Sequence, residues 1–380
     1  MQETDSKLIE LRHTLHRNAE LSGNESGTAR IITDFLQSYQ PDSLIENLGG
    51  HGIAAIFNGR SAGPRVLFRC ELDALPIAET VTLPWSSESD GASHKCGHDG
   101  HMTMVAALAP RLRSRPPSSG SVVLLFQPGE EIGQGAQWVL DDPKFKEIAP
   151  DYVFALHNLP GYRRHAVIVR DGVFASSSRG LIVRLHGASS HAAEPEQGHS
   201  PALAVAQLIT SFSAAGQFYT ALHESAQVTV IHAKLGERAF GTSPGEAVVM
   251  ATLRSHSESV MDRLAERCTT IAGHVASTYE LGAEVEWVEA FPSTVNDNES
   301  VRLVEKCAGA LDLEVVHRDT PFAWSEDFGN FTAQYAGALF GLGSGEEQPA
   351  LHHPDYDFPD DLLVTGTNMF AEIIRELLEN

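Results

Sequence analysis

The stretch from Ser121 to Glu131, SVVLLFQPGEE, places five consecutive apolar residues shortly before a pair of glutamates. A short apolar run of this kind is typical of a strand that is buried on both faces of a sheet. We therefore predict a buried strand over residues 121–126, with Glu130 and Glu131 just beyond its end.

Similar apolar runs lie on both sides of this stretch, and helical patterns separate them. The predicted strands are 52–57, 65–68, 152–156 and 338–342, and the predicted helices are 102–112, 134–140 and 366–378. Strands that are apolar on both faces and alternate with helices indicate an α/β fold. We expect a largely parallel mixed sheet with helices on both faces.

The middle of the chain follows a different pattern. The predicted elements are strand 181–185, helix 201–213, strands 227–232 and 247–253, helix 257–279 and strand 283–288. This βαββαβ order is typical of a small α+β sandwich, which we predict to be inserted into the α/β domain. The predicted boundaries are 1–179 and 290–380 for the two parts of the α/β domain and 180–289 for the inserted domain.

Composition and charge narrow the possible functions. The 380 residues carry a formal net charge of -23, which would repel nucleic acid and anionic membrane surfaces. The sequence has no apolar run of membrane-spanning length and its first residues are polar, so we expect a cytoplasmic protein that acts on a small molecule. Its four cysteines lie far apart without a CxxC pair, which favours free thiols or metal ligands over disulfides.

Polar side chains that could bind a ligand or take part in catalysis follow several of the predicted strands. They are Glu71 and Asp73 after strand 65–68, Glu130 and Glu131 after 121–126, His157 after 152–156, and His352 and His353 after 338–342. In open α/β sheets, ligands bind beyond the carboxyl ends of the strands. We therefore expect these side chains to converge on one edge of the sheet.

The loop SHKCGHDGHM, residues 93–102, adds Cys96 and His98, with Gly97 allowing the backbone to turn between them. Taken alone, a Cys-Gly-His loop is more often structural than metal-binding. Together with the strand-end groups, however, thiolate, imidazole and carboxylate ligands favour a divalent ion such as zinc or manganese. We interpret His94 and His101 as bystanders.

The adjacent pair Glu130 and Glu131 points in two directions. One carboxylate can therefore coordinate a metal while the other accepts a proton from water. The alternative is a solvated acidic turn, which is less favoured directly after an apolar strand.

One competing motif is rejected. Residues 59–63, GRSAG, match the GxSxG nucleophile elbow, which requires a strand, a sharp turn and then a helix. The next residues, 64–68, are predicted as a strand, so we interpret the match as a hairpin loop.

Six segments in chain order resemble the motifs of the aminoacylase and carboxypeptidase superfamily of dinuclear metallohydrolases. They are RCELDALPI (69–77), CGHDGHM (96–102), FQPGEE (126–131), HAAEP (191–195), SEDF (325–328) and LHHP (351–354). The branch they resemble contains hippurate hydrolases, N-acyl-amino-acid amidohydrolases and indoleacetyl-amino-acid hydrolases. The resemblance implies a zinc-peptidase-like catalytic domain that hydrolyses the amide bond of N-acyl amino acids, releasing a carboxylic acid and a free amino acid.

The resemblance also implies a role for each site residue. Two divalent ions, zinc or manganese with cobalt or nickel as alternatives, would be held by Cys96 as the bridge and by His98, Glu131, His157 and His352. Glu130 would be the general base and acid, and Asp73 a carboxylate that supports the ligands. The inserted domain would be a lid and the dimerisation domain of a homodimer. Its His191 would stabilise the oxyanion, in relatives often across the dimer.

Two departures from the family pattern concern the substrate. Gly241 stands where relatives commonly have asparagine, and His199 where they often have aspartate. Both changes leave the implied metal ligands intact, so the resemblance does not identify the acyl group or the amino acid. A dipeptidase or carboxypeptidase is the alternative within the superfamily. A catalytically silent metal-bound binding protein is disfavoured, because such a protein would not need Glu130.

Overall fold

The structure is a computed structural model that describes residues 2–379 and divides into two compact units. Unit 1 comprises the chain up to Phe174, Thr294–Pro321 and the chain from Asp327 onward, and unit 2 comprises Ala175–Ser293 and Phe322–Glu326.

The helices are α1 (Gln2–Arg17), α2 (Ser26–Gln37), α3 (His98–Ala106), α4 (Leu108–Ser114), α5 (Gly135–Asp141), α6 (Ala202–Tyr219), α7 (Glu258–Thr278), α8 (Asn298–Ala310), α9 (Gly329–Thr332) and α10 (Leu362–Leu378). The strands are β1 (Ser43–Leu48), β2 (Gly52–Asn58), β3 (Arg65–Glu71), β4 (Ser121–Gln127), β5 (Tyr152–Pro160), β6 (Val167–Val169), β7 (Gly172–Ala175), β8 (Ser177–His186), β9 (Ser190–His191), β10 (Ala226–Leu235), β11 (Thr242–Ser243), β12 (Glu246–Ser255), β13 (Gly282–Phe291), β14 (Thr294–Asn296), β15 (Val315–His317) and β16 (Ala336–Gly345).

Unit 1 is built on an eight-stranded sheet in the order β1-β2-β4-β3-β5-β16-β6-β15. The four central strands β4, β3, β5 and β16 are parallel, whereas β2 runs antiparallel to β4, and β6 antiparallel to β16. The predicted largely parallel mixed sheet is therefore confirmed. The carboxyl ends of the central strands meet at one edge, since parallel strands share a direction.

The core of unit 1 explains why these strands read as continuous apolar runs. Every residue of β4 is buried, and Phe68, Phe154 and Phe340 on β3, β5 and β16 are each at most 1% exposed. Phe370 of α10 packs on Phe68 with the ring centroids 4.9 Å apart. Helices cover the sheet through such contacts, which is the physical basis of the two-sided apolar pattern.

Three local predictions about unit 1 were wrong in detail. The helix predicted over 102–112 begins earlier, at His98, and is interrupted at Ala107. Pro110 accounts for the interruption, because it cannot donate a hydrogen bond to the carbonyl of Ala106 and is tolerated only in the first turn of α4.

The segment 59–63 joins β2 to β3, but these strands lie on either side of β4 and do not form a hairpin. The conclusion that no helix follows this segment still holds. His157 lies within β5, which extends to Pro160, and not at its end.

Unit 2 contains a four-stranded antiparallel sheet in the order β10-β12-β8-β13. Its elements follow the chain order β8, α6, β10, β12, α7, β13, so the predicted βαββαβ pattern is observed. The buried side chains of α6 and α7 form one apolar cluster with β8 and β12. Across residues 2–379, no helix is both long enough and apolar enough to cross a membrane.

Candidate metal centre

The loop that carries Cys96 and His98 lies at the start of α3, inside unit 1. Gly97 has a φ of +94°, in the left-handed region, and a side chain there would meet the Asn158 amide at 2.7 Å. Glycine is therefore required at this position. The turn leaves the thiol and the imidazole on either side of Gly97, and both are buried.

Cys96, His98 and His157 form one group of potential metal ligands, which we call the buried ligand group. Their ligand atoms lie within 4.8 Å of one another, and Cys96 Sγ is 3.4 Å from His157 Nε2. All three residues are buried.

Both histidines of the buried ligand group are oriented by backbone carbonyls. His98 Nδ1 lies 2.8 Å from the carbonyl oxygen of Asp73, and His157 Nδ1 lies 2.9 Å from that of Asn158. A carbonyl oxygen only accepts, so each Nδ1 carries the hydrogen in the neutral ring and each Nε2 has a lone pair for a metal. His98 Nε2 is buried and makes no hydrogen bond to any described residue, as expected of an atom that binds an ion.

Cys96 also belongs to a second group with Glu131 and His352, which we call the open ligand group. Glu131 Oε2 lies 3.9 Å from His352 Nε2, and the side chains of these two residues are 11% and 51% exposed. His352 adopts a φ of +65°, which is uncommon for a residue with a side chain. The sequence-predicted ligands are thus brought together in two sets that share one thiol, although their role as ligands stays a prediction.

Burial sets the protonation of the shared thiol and of His157. It raises the pKa of the Cys96 thiol to about 12, and the neighbouring Glu131 carboxylate adds to the rise. Burial and the nearby His101 lower the pKa of His157 to about 3, so this imidazole is neutral at pH 7. A divalent cation fits such a set, because it would compensate a buried thiolate and bind the neutral imidazole.

The remaining predicted residues of unit 1 lie around these two groups. Glu130 Oε2 is 3.9 Å from His98 Nε2, and Glu130 Oε1 accepts a hydrogen bond from the Asp327 amide at 3.4 Å. Asp73 is fully buried and accepts hydrogen bonds from Ser22 Oγ at 2.6 Å and from the Glu131 amide at 2.9 Å. Asp73 therefore contacts one member of each ligand group, His98 and Glu131, but is not itself a member of either group.

Glu71 and His101 lie beside His98, with which they form a further group of potential metal ligands. His101 Nδ1 lies 2.7 Å from Glu71 Oε2, and its Nε2 contacts Asn158. Burial alone would raise the pKa of Glu71, but Arg69 and His101 hold it well below its usual range. Both ring nitrogens of His101 thus have partners in the protein, whereas Nε2 of His98 makes no hydrogen bond to a described residue.

Sequence reasoning did not identify the buried arginine beside this edge. Arg69 contacts Glu71 and Asp327, and Arg69 Nε donates to Gln127 Oε1 at 2.8 Å. Asp327 Oδ2 also accepts from the Ala136 amide at 2.8 Å. These contacts fix the segment after β4 on which Glu130 lies. The only signals were the family-like segments 69–77 and 325–328, for which the resemblance implied no role of Arg69 or Asp327.

His191 lies in unit 2, on β9, where it is paired with Thr242 of β11. Its side chain is exposed, and its Nδ1 accepts a hydrogen bond from the Ala193 amide at 3.1 Å. The hydrogen of the neutral ring is therefore on Nε2, which is available as a donor. Apart from its chain neighbours, no described residue has an atom within 4 Å of the position of a Cβ added at Gly241.

Comparison with known proteins identifies the family. The model of peptidase family M20/M25/M40 matches residues 67–376. The chain belongs to peptidase family M20/M25/M40. The predicted class of enzyme, a metal-dependent amidohydrolase or peptidase, is confirmed by this membership.

Proteins with similar sequences match nearly the whole chain. An N-acetylcysteine deacetylase of Bacillus subtilis is 28% identical over 376 residues, covering 98% of this chain and 97% of that protein. An uncharacterized hydrolase of Staphylococcus aureus is 30% identical over 378 residues, covering 97% of each protein.

Two solved structures share the fold. A dinuclear metal-binding peptidase of the family from Bacillus subtilis has a TM-score of 0.83 and 26% identity, covering 100% of this chain and 99% of the other. An aminobenzoyl-glutamate utilization protein from Klebsiella pneumoniae has a TM-score of 0.76 and 18% identity, with 100% and 96% coverage. The predicted α/β fold is thereby confirmed.

Proposed function

We propose that this M20 hydrolase cleaves the amide bond of N-acyl amino acids with two divalent metal ions. The observation that carries the proposal is the pair of ligand groups joined at Cys96, with the Glu130 carboxylate 3.9 Å from His98 Nε2. The similarity to a dinuclear metal-binding peptidase supports two ions. The similarity to an N-acetylcysteine deacetylase supports N-acyl amino acids, and N-acetylcysteine is the first substrate to test.

The ligand roles follow from the two groups. His98 and His157 would hold one ion with Cys96, and Glu131 and His352 would hold the other with the same thiolate. When bound, the ions would polarise the amide carbonyl and lower the pKa of a water molecule. Zinc and manganese both suit these ligands, as do cobalt and nickel.

Glu130 performs the proton transfers in this proposal. Its carboxylate accepts a proton from the attacking water and passes it to the departing amine nitrogen. The contact from the Asp327 amide holds one carboxylate oxygen, which leaves the other facing the ligand atoms.

The change Glu130→Gln tests this role because it keeps the shape of the side chain and removes the base. We expect kcat to fall by about 10²- to 10⁴-fold, with the bound metal unchanged. The measurement combines N-acetylcysteine hydrolysis with metal analysis of the same sample. Glu147→Gln, which changes an exposed carboxylate of unit 1, is the matched control and should leave both values unchanged. Full activity in Glu130→Gln would exclude this residue as the base.

For unit 2 we propose the role of a lid and dimerisation domain, with His191 as the oxyanion donor. The hydrogen bond from Ala193 to Nδ1 supports donation from Nε2. His191→Ala should lower kcat by about 10²-fold or more, the usual loss of an oxyanion donor, without removing metal. Mixing His191→Ala with Glu130→Gln subunits should restore part of the activity if the histidine acts across a dimer. Comparing N-acetyl amino acids with free dipeptides separates an acylase from a dipeptidase.

A further inference from the structure

We infer that Lys95 is a positioning residue that holds His352 in place for the second metal ion. The inference rests on the proposed function, since it concerns the open ligand group. It assigns a role to a side chain that binds neither metal nor substrate.

His352 is held differently from the other two histidine ligands. His98 and His157 are oriented by contacts of their own rings with backbone carbonyls. The ring of His352 makes no hydrogen bond to a described residue, and its side chain is 51% exposed. What fixes His352 is its backbone, because its amide donates to the carbonyl oxygen of Lys95 at 2.9 Å.

The left-handed backbone of His352 increases the importance of that hydrogen bond. A φ of +65° at a residue with a side chain is held only when its surroundings impose it. The Lys95 carbonyl is the hydrogen-bond acceptor for this residue, so a shift of Lys95 would move the ligand.

The side chain of Lys95 fixes the same two loops a second time. Its ammonium donates to the carbonyl oxygen of Tyr356 at 2.8 Å and contacts Glu79 Oε1 at 2.5 Å. Lys95 thus joins the loop of Cys96 to the loop of His352 through both its carbonyl and its ammonium.

The burial of the Lys95 ammonium is unfavourable by itself, which suggests that its contacts have a specific role. The Lys95 side chain is 0% exposed, and burying a charge has a large cost in free energy unless partners compensate it. An apolar side chain would fill the same space without that cost. The two contacts of Lys95 each reach a defined atom, and one of them lies in the loop that carries His352. Fixing the spacing of two ligand loops is a role that an apolar side chain could not perform.

The test is the change Lys95→Met, which keeps most of the side-chain volume and removes the donor. Metal-free wild-type and variant proteins are titrated with zinc, and the bound ions per chain and their affinities are measured. We expect the second ion to bind about 10- to 100-fold more weakly, as is usual when a group that supports a ligand is removed, and the first ion to bind as in the wild type. Lys146→Met, which changes an exposed lysine of unit 1, is the matched control.

A double-mutant cycle shows whether Lys95 acts through His352. In a His352→Ala background, Lys95→Met should leave the affinity of the remaining ion unchanged. Glu79→Gln removes the carboxylate partner of Lys95 without changing its shape, and it should also weaken the binding of the second ion. This variant replaces Lys95→Met in the test if Lys95→Met does not fold. Two ions bound with wild-type affinity, or equal weakening of both, would overturn the role of Lys95. A wild-type protein that binds no pair of ions would instead overturn the proposed function.

Discussion

The buried and open ligand groups share Cys96 but differ in how the rest of each group is held. The histidines of the buried group are enclosed and oriented by backbone carbonyls, whereas His352 in the open group is half exposed and held by its backbone. Preorganised ligands lose less freedom on binding a metal, so histidines held in these two ways should bind a metal with different affinity. We therefore expect the buried group to hold its ion more firmly than the open group.

The largest expected effect comes from removing the ligand that the two groups share. Cys96→Ala should abolish hydrolysis and prevent both ions from binding, because each group loses its thiolate. Metal analysis after dialysis against a weak chelator measures this directly. Cys307→Ala, at a buried cysteine of α8 in the core of the same unit, is the matched control and should keep both ions. Retention of one tightly bound ion in Cys96→Ala would refute the shared position.

A smaller effect, confined to one group, is expected from His352→Ala. The variant should keep the ion of the buried group and lose the other, since His98 and His157 are untouched. Its metal content should fall by about half, and hydrolysis should decline strongly because both ions act on the reacting water. Loss of both ions together would show that the two groups do not differ as described.

The smallest expected effect comes from a charged network behind the Cys96 loop, which shares Glu79 with Lys95. His16 Nδ1 lies 2.8 Å from Asp99 Oδ2, and its Nε2 lies 2.8 Å from Glu79 Oε1. Burial lowers the pKa of His16, but these carboxylates more than reverse this and raise it to about 9. The proton is bound more tightly in the folded state than in the unfolded state, where the pKa is about 6.5.

The sign of the pH dependence follows from that difference. The stabilisation is fully present below about pH 6.5 and is lost as the pH rises through about 9. We expect the free energy of unfolding of the metal-free protein to fall by about 1–3 kcal/mol over that interval. Urea unfolding at several pH values measures it, and His16→Gln should remove this part of the slope. An identical slope in both proteins would contradict the assignment.

Much of the fold could be predicted because its central strands are buried on both faces. The strand at β4 and the elements of unit 2 follow from apolar patterns that packing then reinforces. The order of the strands in the sheet was harder to predict. The strands β2 and β3 are consecutive in the chain, but β4 lies between them in the sheet, and no local sequence pattern indicates this.

At the candidate site, too, local sequence patterns predicted neighbouring residues but not contacts between distant ones. Cys96 and His98 are close in sequence, and their residue types suggested a metal on their own. Arg69 and Asp327 are 258 residues apart, so their contact depends on the whole fold of unit 1. Lys95 lies in a polar loop, where a lysine is usually exposed, and only the structure shows its burial.

In the proposed mechanism, hydrolysis by this M20 protein needs two ions held through one thiolate. The most direct measurement is the rate of N-acetylcysteine hydrolysis as zinc or manganese is added stepwise to the metal-free protein. We expect little activity while the buried group fills, then a rise that levels off at the second equivalent. Activity in the metal-free protein, or a plateau already at the first equivalent, would show that hydrolysis does not need two ions.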